Sequence, residues 1–397
     1  MIATLTSCRR RKCIRLLLLL ASCNATIVIL VQLASSITSF SVDPFVVDTS
    51  VFENERTINP VFSMELAGNI TSRYVDDKAG IAACLLIMDD NHFLVEWLAY
   101  HFYYLPLRRL IVAVDPKSKT SPKSILERYH SRGLINITLW NDVDFLPILM
   151  KRLFRRYPTD LYIIRQEYFI LECMKKLQGE NWTWATHIDT DEFVVPNRDA
   201  DAIYHFDKNQ TVYAVLTNPP PNEHWKNLTT STPCHPMIRP FMGIRPARDQ
   251  VANRGVPDGF NGSKFLTYRY RSPQPTRPNG KLKPGKAFLD LSRVPSSDFR
   301  RGNTNPHRIL KNRCEVFIHS RRSPFSVFHY SGSYEQFNYR RDGRNTKTRE
   351  LYKQRDFNSK YDDGAAFWLP GFMEQVGIEL ARTLLAGAVE IGANWNA

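Results

Sequence analysis

The residues best equipped for chemistry lie in one stretch, Trp182-Thr183-Trp184-Ala185-Thr186-His187-Ile188-Asp189-Thr190-Asp191-Glu192-Phe193-Val194-Val195. Residues two apart on an extended chain point to the same side, so Asp189 and Asp191 are expected to aim two carboxylates at one point. Two such groups repel at the edge of an apolar strand. A hard cation, Mn2+ or Mg2+, removes the conflict, because oxygen ligands suit it and it keeps positions open for phosphate oxygens. A bare Asp-x-Asp is also common in solvated turns. Here it follows an aromatic-rich apolar run and precedes a second one, Phe193-Val194-Val195.

The elements that must position this pair can be read from hydropathy patterns. Ile81 to Met88, Leu110 to Val114, Ile135 to Leu139 and Thr183 to Ile188 are apolar runs of strand length. Helical spacing lies between them, through Phe93, Trp97, Tyr100 and His101, then Ser124 to His130, then Arg165 to Leu177. Short apolar strands alternating with helices predict an α/β fold with a mostly parallel sheet covered on both faces. Ligands of such sheets bind outside the carboxyl ends of the strands, where Asp115 and Asp189 both stand. After Pro196 the pattern loosens into Pro-rich and basic segments, read as loops and additions on the acceptor side.

Arg9, Arg10, Arg11, Lys12 and Arg15 precede Leu16 to Ala34, a charge-free run about long enough to cross a bilayer, with no charge before Asp43. The positive-inside rule predicts a single-pass anchor with the body across the membrane. A cleaved signal peptide competes, since Ser22, Asn24, Thr26 and Gln32 lower the hydropathy. Outside the anchor, six Asn-x-Ser/Thr triplets, at Asn69, Asn136, Asn181, Asn209, Asn227 and Asn261, agree with a lumenal body. Cys84, Cys173, Cys234 and Cys314 permit two disulfides there in three possible pairings, with free thiols as the alternative. The expected plan is a cytoplasmic tail at 1–15, an anchor at 16–34, a stem at 35–79, a catalytic body at 80–345 and an extension at 346–397.

Charge is regional. The basic excess of Lys264 to Arg355 exceeds the +14 of the whole chain, which suits a solvated face or an anionic ligand. Lys286, Arg340 and Arg341 are candidates to neutralise phosphate.

A series of motifs stands in order along the chain: Cys84-Leu85-Leu86-Ile87-Met88, Glu96-Trp97-Leu98-Ala99-Tyr100-His101, Ile111 to Asp115, Arg165-Gln166 through Cys173, Trp184 to Phe193, and His329-Tyr330-Ser331-Gly332-Ser333-Tyr334-Glu335-Gln336-Phe337. By this series residues 80–345 resemble glycosyltransferase family 92 and related family-2-like transferases. The resemblance implies a GT-A, Rossmann-like, mixed sheet and a hexosyltransferase using a nucleotide-sugar, UDP-linked by expectation. It implies Asp115 on the nucleotide, Asp189 and Asp191 on the metal and diphosphate, and Glu96 organising the helix beside the nucleotide pocket. Gln166 would support the site from its own helix. His307 and His329, in segments like the family's late motifs, would be further metal ligands. The chain departs from the pattern at Asp90-Asn91, where Asn-Glu is usual, and after the second strand it carries Asp115-Pro116-Lys117-Ser118 at the place of the pattern's Asp-x-x-Ser. Both places bear on the base and ribose contacts.

An inverting transfer needs a carboxylate beside the acceptor hydroxyl. The expected catalytic carboxylates are Asp191 and Asp258, with Asp249 and Glu223 as alternatives to Asp258. The reading is therefore a Golgi or ER type II enzyme acting on a glycan or glycoconjugate. A phosphatase of the haloacid dehalogenase type competes, though such enzymes usually carry Thr or Val where this chain has Phe193. The other readings are a non-catalytic relative that binds glycan, and a polyanion-binding protein, which would leave the acidic pair without a role. Nucleic acid is not expected as a partner, since a lumenal body would not meet it.

Overall fold

Seven apolar residues, Ile81–Ile87, form β1, and six of them are fully buried because β1 has a parallel neighbour on each side. The computed structural model describes residues 79–151, 162–197, 200, 211–218, 232–243, 269–273, 281–282, 285–316, 318–319, 323–330, 358–362, 364–365 and 368–387. The run at 16–34 lies outside them, and no described helix is long and apolar enough to cross a membrane.

After β1 come α1 (Asn91–Tyr104), β2 (Leu107–Val114), α2 (Lys123–His130), β3 (Asn136–Trp140), α3 (Asp142–Phe145) and α4 (Tyr162–Gly179). Then follow β4 (Trp184–His187), β5 (Glu192–Pro196), α5 (Val212–Thr217), β6 (Cys234–Met237), β7 (Phe241–Met242), β8 (Tyr270–Arg271), β9 (Lys281–Leu282) and β10 (Lys286–Asp290). The last elements are β11 (Ile318–His319), β12 (Phe325–Tyr330), β13 (Lys360–Tyr361), α6 (Trp368–Val376) and α7 (Ile378–Leu385).

The architecture is mixed α/β with two mixed sheets. The larger has the order β3-β2-β1-β4-β10-β6; its first four strands are parallel, and β10 and β6 are antiparallel to their neighbours. The second has the order β13-β8-β7-β12-β5. The four expected strands and three expected helices are all present. The segment after Pro196, expected as loops, instead supplies β10 and β6 to the main sheet and β12 to the second. Its strands are two to six residues long and interrupted by Pro and Arg, so no period of two could develop.

The main sheet has a core on each face. Ala83 and Leu85 turn toward α1, α2 and β5, while Ala82 and Cys84 turn toward α4. Helix α1 is buried continuously from Phe93 to Phe102, as expected of a helix enclosed on most sides. Leu369, Phe372 and Leu384, from the stretch set apart as 346–397, belong to the same core as α1. Gly371 makes that contact possible, since a Cβ there would strike the Tyr103 hydroxyl. Two disulfides use all four body cysteines: Cys84–Cys173 joins β1 to α4, and Cys234–Cys314 joins β6 to the segment after β10. Each contributes about 2–4 kcal/mol.

Phe193 on β5 packs between α1 and β12, 5.6 Å from the Tyr100 and His101 rings and 5.4 Å from Tyr330. Phe193→Ala should cost about 3–5 kcal/mol in denaturant unfolding. His101 donates from Nδ1 to the Trp97 carbonyl at 2.9 Å, and burial lowers its pKa to about 3. The unfolded imidazole titrates near 6.5, so below that pH only the unfolded chain gains the proton and the folded state loses ground. The stability advantage of wild type over His101→Gln should shrink by about 1.4 kcal/mol between pH 7.5 and pH 5.5. A constant difference would exclude a neutral buried His101.

Candidate active site

β4 ends at His187 and β5 begins at Glu192, so Asp189 and Asp191 sit in the tight connection between the two sheets. The Glu192 amide donates to the Asp189 carbonyl at 3.0 Å, closing a turn. The expectation of an extended segment is therefore corrected: the turn sends the two carboxylates to different neighbours, and Thr190 between them is buried.

Asp189 Oδ2 accepts from Lys286 Nζ at 3.0 Å. The same ammonium lies 3.2 Å from Glu192 Oε2, and Glu192 Oε1 pairs with Arg239 at 3.1 Å. Glu192 Oε2 also accepts the Asp189 amide at 2.9 Å, which fixes the turn. Lys286, the first residue of β10, has no exposed side-chain surface, and neither has Glu192, whereas Asp189 keeps 34% of its own at the mouth of the cluster. The sequence offered Lys286 as a phosphate contact, but its charge is taken up by two carboxylates. Gly285 makes room for Arg239, whose stem a Cβ there would strike.

Burial and the facing charges oppose each other at these groups. Burial pushes the Asp189 carboxyl up, but Lys286, His187 and Arg239 together hold it far below the usual range. For Glu192 burial prevails, helped by Asp189 and Asp191, and the carboxyl is raised despite Lys286 and Arg239. Lys286 is disfavoured by burial, yet the two carboxylates raise it, so it stays charged.

Asp191 Oδ2 lies 3.3 Å from His329 Nε2 on β12, and the Tyr330 amide donates to the Asp191 carbonyl at 2.7 Å. Burial, then Arg239, lowers the pKa of His329 to about 4, so it is neutral at pH 7. His187 is fully buried. Its Nδ1 lies 3.0 Å from the Cys84 carbonyl, and its Nε2 lies 3.6 Å from Asp189 Oδ1.

The four ligands expected from sequence do not meet at one point. Asp191 faces His329, Asp189 faces Lys286 and His187, and His307 Nδ1 is held 3.0 Å from the Gly285 carbonyl. Among the described residues no three His, Cys, Asp or Glu side chains form a group that could hold a metal ion by themselves.

Asp115 follows β2. Its Oδ2 accepts from Arg165 on α4 at 2.9 Å and its Oδ1 accepts the Lys117 amide at 2.9 Å. Arg165 also reaches Asp142 Oδ1 at 2.6 Å, tying the ends of β2 and β3 together. Ser118 donates to Asp89 Oδ1 at 3.1 Å, so the Asp115-to-Ser118 segment locks the loops after β1 and β2. Glu96 is buried on α1, within electrostatic reach of Tyr330. Gln166 is half-buried on α4. Asp258, Asp249, Glu223, Arg340 and Arg341 lie outside the described residues.

Sequence reading missed His187, Glu192 and Arg239. Glu192 was legible as the third acid of Asp189-Thr190-Asp191-Glu192. Arg239 carried no signal, since only the pairing of β6 with β10 brings its neighbourhood to the site.

No family model matches the chain, and no curated protein matches it. Among solved structures it is similar to S. aureus TarS, at 12% identity and a TM-score of 0.26, over 66% of this chain and 38% of that one. It is also similar to the galactosyltransferase LgtC in complex with donor and acceptor sugar analogues, at 11% identity and a TM-score of 0.26, over 75% of this chain and 95% of that one. The chain thus spans well under half the length of TarS.

Removing one partner from a buried charge pair leaves the other uncompensated. Lys286→Met should destabilise the protein by about 3–5 kcal/mol, and adding Glu192→Gln should restore part of that loss. Additive losses in a double-mutant cycle of thermal unfolding would rule out direct coupling.

Proposed function

We propose that the chain is a glycosyltransferase that transfers a sugar from a nucleotide-sugar to a glycan or glycoconjugate, with a divalent cation at Asp189 and Asp191. The observation that carries this reading is the acidic turn at the carboxyl end of β4. Strand order runs outward from β1 through β2 to β3 and then resumes on the other side with β4, and open α/β sheets bind ligands at such a reversal.

The donor set fits a hard or borderline cation. Asp189 offers its second oxygen, Oδ1, which Lys286 does not engage, and Asp191 stands beside the neutral imidazole of His329 rather than a cation. Such ions are usually held by one or two carboxylates plus substrate phosphates, so a complete protein cage is not required. When bound, the ion would stabilise the charge that builds on the departing diphosphate. In this reading Lys286 holds Asp189 by one oxygen and leaves the other free to bind, while His329 orients Asp191. Asp115, fixed by Arg165, takes the nucleotide, and Asp258 acts on the acceptor hydroxyl.

Two disulfides support an oxidising compartment such as the secretory lumen, and the Arg-rich flank of Leu16 to Ala34 supports a type II anchor. A second reading, a glycan-binding relative without catalysis, is favoured by one observation: Lys286 already neutralises Asp189 and Glu192 without a metal.

Purified full-length protein in detergent should hydrolyse or transfer from a UDP-sugar only with Mn2+ or Mg2+ present. Asp189→Asn and Asp191→Asn should each lower turnover by 10²-fold or more, an order of magnitude typical of losing a main electrostatic contact to the reacting groups, in protein that still folds, although Asp189→Asn, which takes one counterion from buried Lys286, should also lower the melting temperature. No turnover across UDP- and GDP-sugars, with glycan binding intact, would select the second reading. In sealed microsomes, added protease should spare the body; its digestion would refute the topology.

A further inference from the structure

His187 is a buried imidazole whose two nitrogens face unlike surroundings. Nδ1 is 3.0 Å from the Cys84 carbonyl, which can only accept, so Nδ1 carries the hydrogen and Nε2 presents its lone pair. Nε2 is buried without a hydrogen-bond partner. It points at Asp189 Oδ1 from 3.6 Å, too far for a hydrogen bond and, as two acceptors, of the wrong kind for one. The backbone fixes this arrangement. Cys84 on β1 is paired in register with His187 on β4, and the Cys84–Cys173 bridge anchors the strand that carries the carbonyl.

An acceptor nitrogen aimed at an acceptor oxygen, both partly or wholly shut off from water, needs a positive centre between them. Lys286 does not supply it, since it engages the other carboxylate oxygen, Oδ2. Metal-bound imidazoles commonly donate their second nitrogen to a backbone carbonyl, which sets the tautomer and the ring orientation. Two neighbouring ligand atoms on one first-row ion stand about 3 Å apart, close to the separation seen here.

We propose that His187 Nε2 is a direct ligand of the divalent cation, together with Asp189 Oδ1, and that this nitrogen selects a transition ion such as Mn2+ over Mg2+. The inference rests on the metal reading above and adds a ligand to it. Mg2+ takes oxygen almost exclusively, whereas first-row transition ions, with Mn2+ the weakest binder among them, also accept an imidazole nitrogen. A His–carboxylate pair therefore makes the site discriminate by ligand softness. His329 and His307 hold different partners and are not needed for that discrimination.

The test is pulsed electron paramagnetic resonance of Mn2+ bound to the full-length protein in detergent, with UDP added and no turnover involved. Wild type should give nitrogen-14 modulation from a directly bound imidazole. The modulation should vanish in His187→Gln and persist in the double variant His307→Gln/His329→Gln. Mg2+ should displace Mn2+ at lower concentration from His187→Gln than from wild type. Bound Mn2+ without nitrogen modulation in wild type, or modulation lost only in the double variant, would overturn the assignment and leave the metal reading standing. Absence of any bound Mn2+ in wild type would overturn both. If His187→Gln does not fold, the double variant decides, because His187 is then the remaining histidine of the cluster.

Discussion

An ammonium group with no exposed surface, Lys286 Nζ, lies between the carboxylates of Asp189 and Glu192, and it fixes the joint between the two sheets. Glu192 opens β5 of the second sheet, Asp189 follows β4 of the main sheet, and Lys286 opens β10, which lies against β4. One cation thus joins three strands at the point where the chain passes from one sheet to the other. The arrangement is costly, because Lys286 and Glu192 have left water, and it persists because Asp189 Oδ2 and both Glu192 oxygens are engaged by Nζ, by Arg239 or by a backbone amide. Removing any member exposes the others to an uncompensated charge, so the joint tolerates little drift.

That rigidity has a chemical use. A site that handles phosphate must keep its carboxylates from collapsing onto nearby cations while leaving one face open. Asp189 meets both demands, with Oδ2 held by Lys286 and its outer surface accessible. Three histidines of the neighbourhood, the buried His101 and His187 and the partly buried His329, are each pushed toward the neutral form by burial. They act as oriented dipoles and lone pairs, and the cluster's positive charge comes from Lys286 and Arg239.

The sequence made the first half of the fold legible because β1, β2 and β4 are buried on both faces and read as unbroken apolar runs. It also singled out Asp189, Asp191 and, as a further ligand of the same site, His329, whose ring lies 3.3 Å from Asp191. It failed at the geometry of Asp-Thr-Asp, since alternation on a strand says nothing once a turn intervenes. It also failed where long-range pairing decides. Lys286 looked like a free cation among many in a basic region, and only the antiparallel pairing of β10 with β4 makes it an internal counterion. Glu96 could not be sorted into core or surface, because α1 is enclosed on almost every side and leaves no polar stripe to read.

The Cys84–Cys173 bridge has a consequence for how the chain is made. Both cysteines precede Asp189, so β1, β2, β3 and α4 can be closed covalently while the rest is still being synthesised. The acidic turn emerges next, and its counterion follows 97 residues after Asp189. Through that interval Asp189 and Glu192 have no Lys286 to meet, and the nascent half-domain carries a hydrated acidic edge where the finished protein has a sealed joint. The β10 strand therefore joins β4 to β6 and brings that edge its counterion in one element.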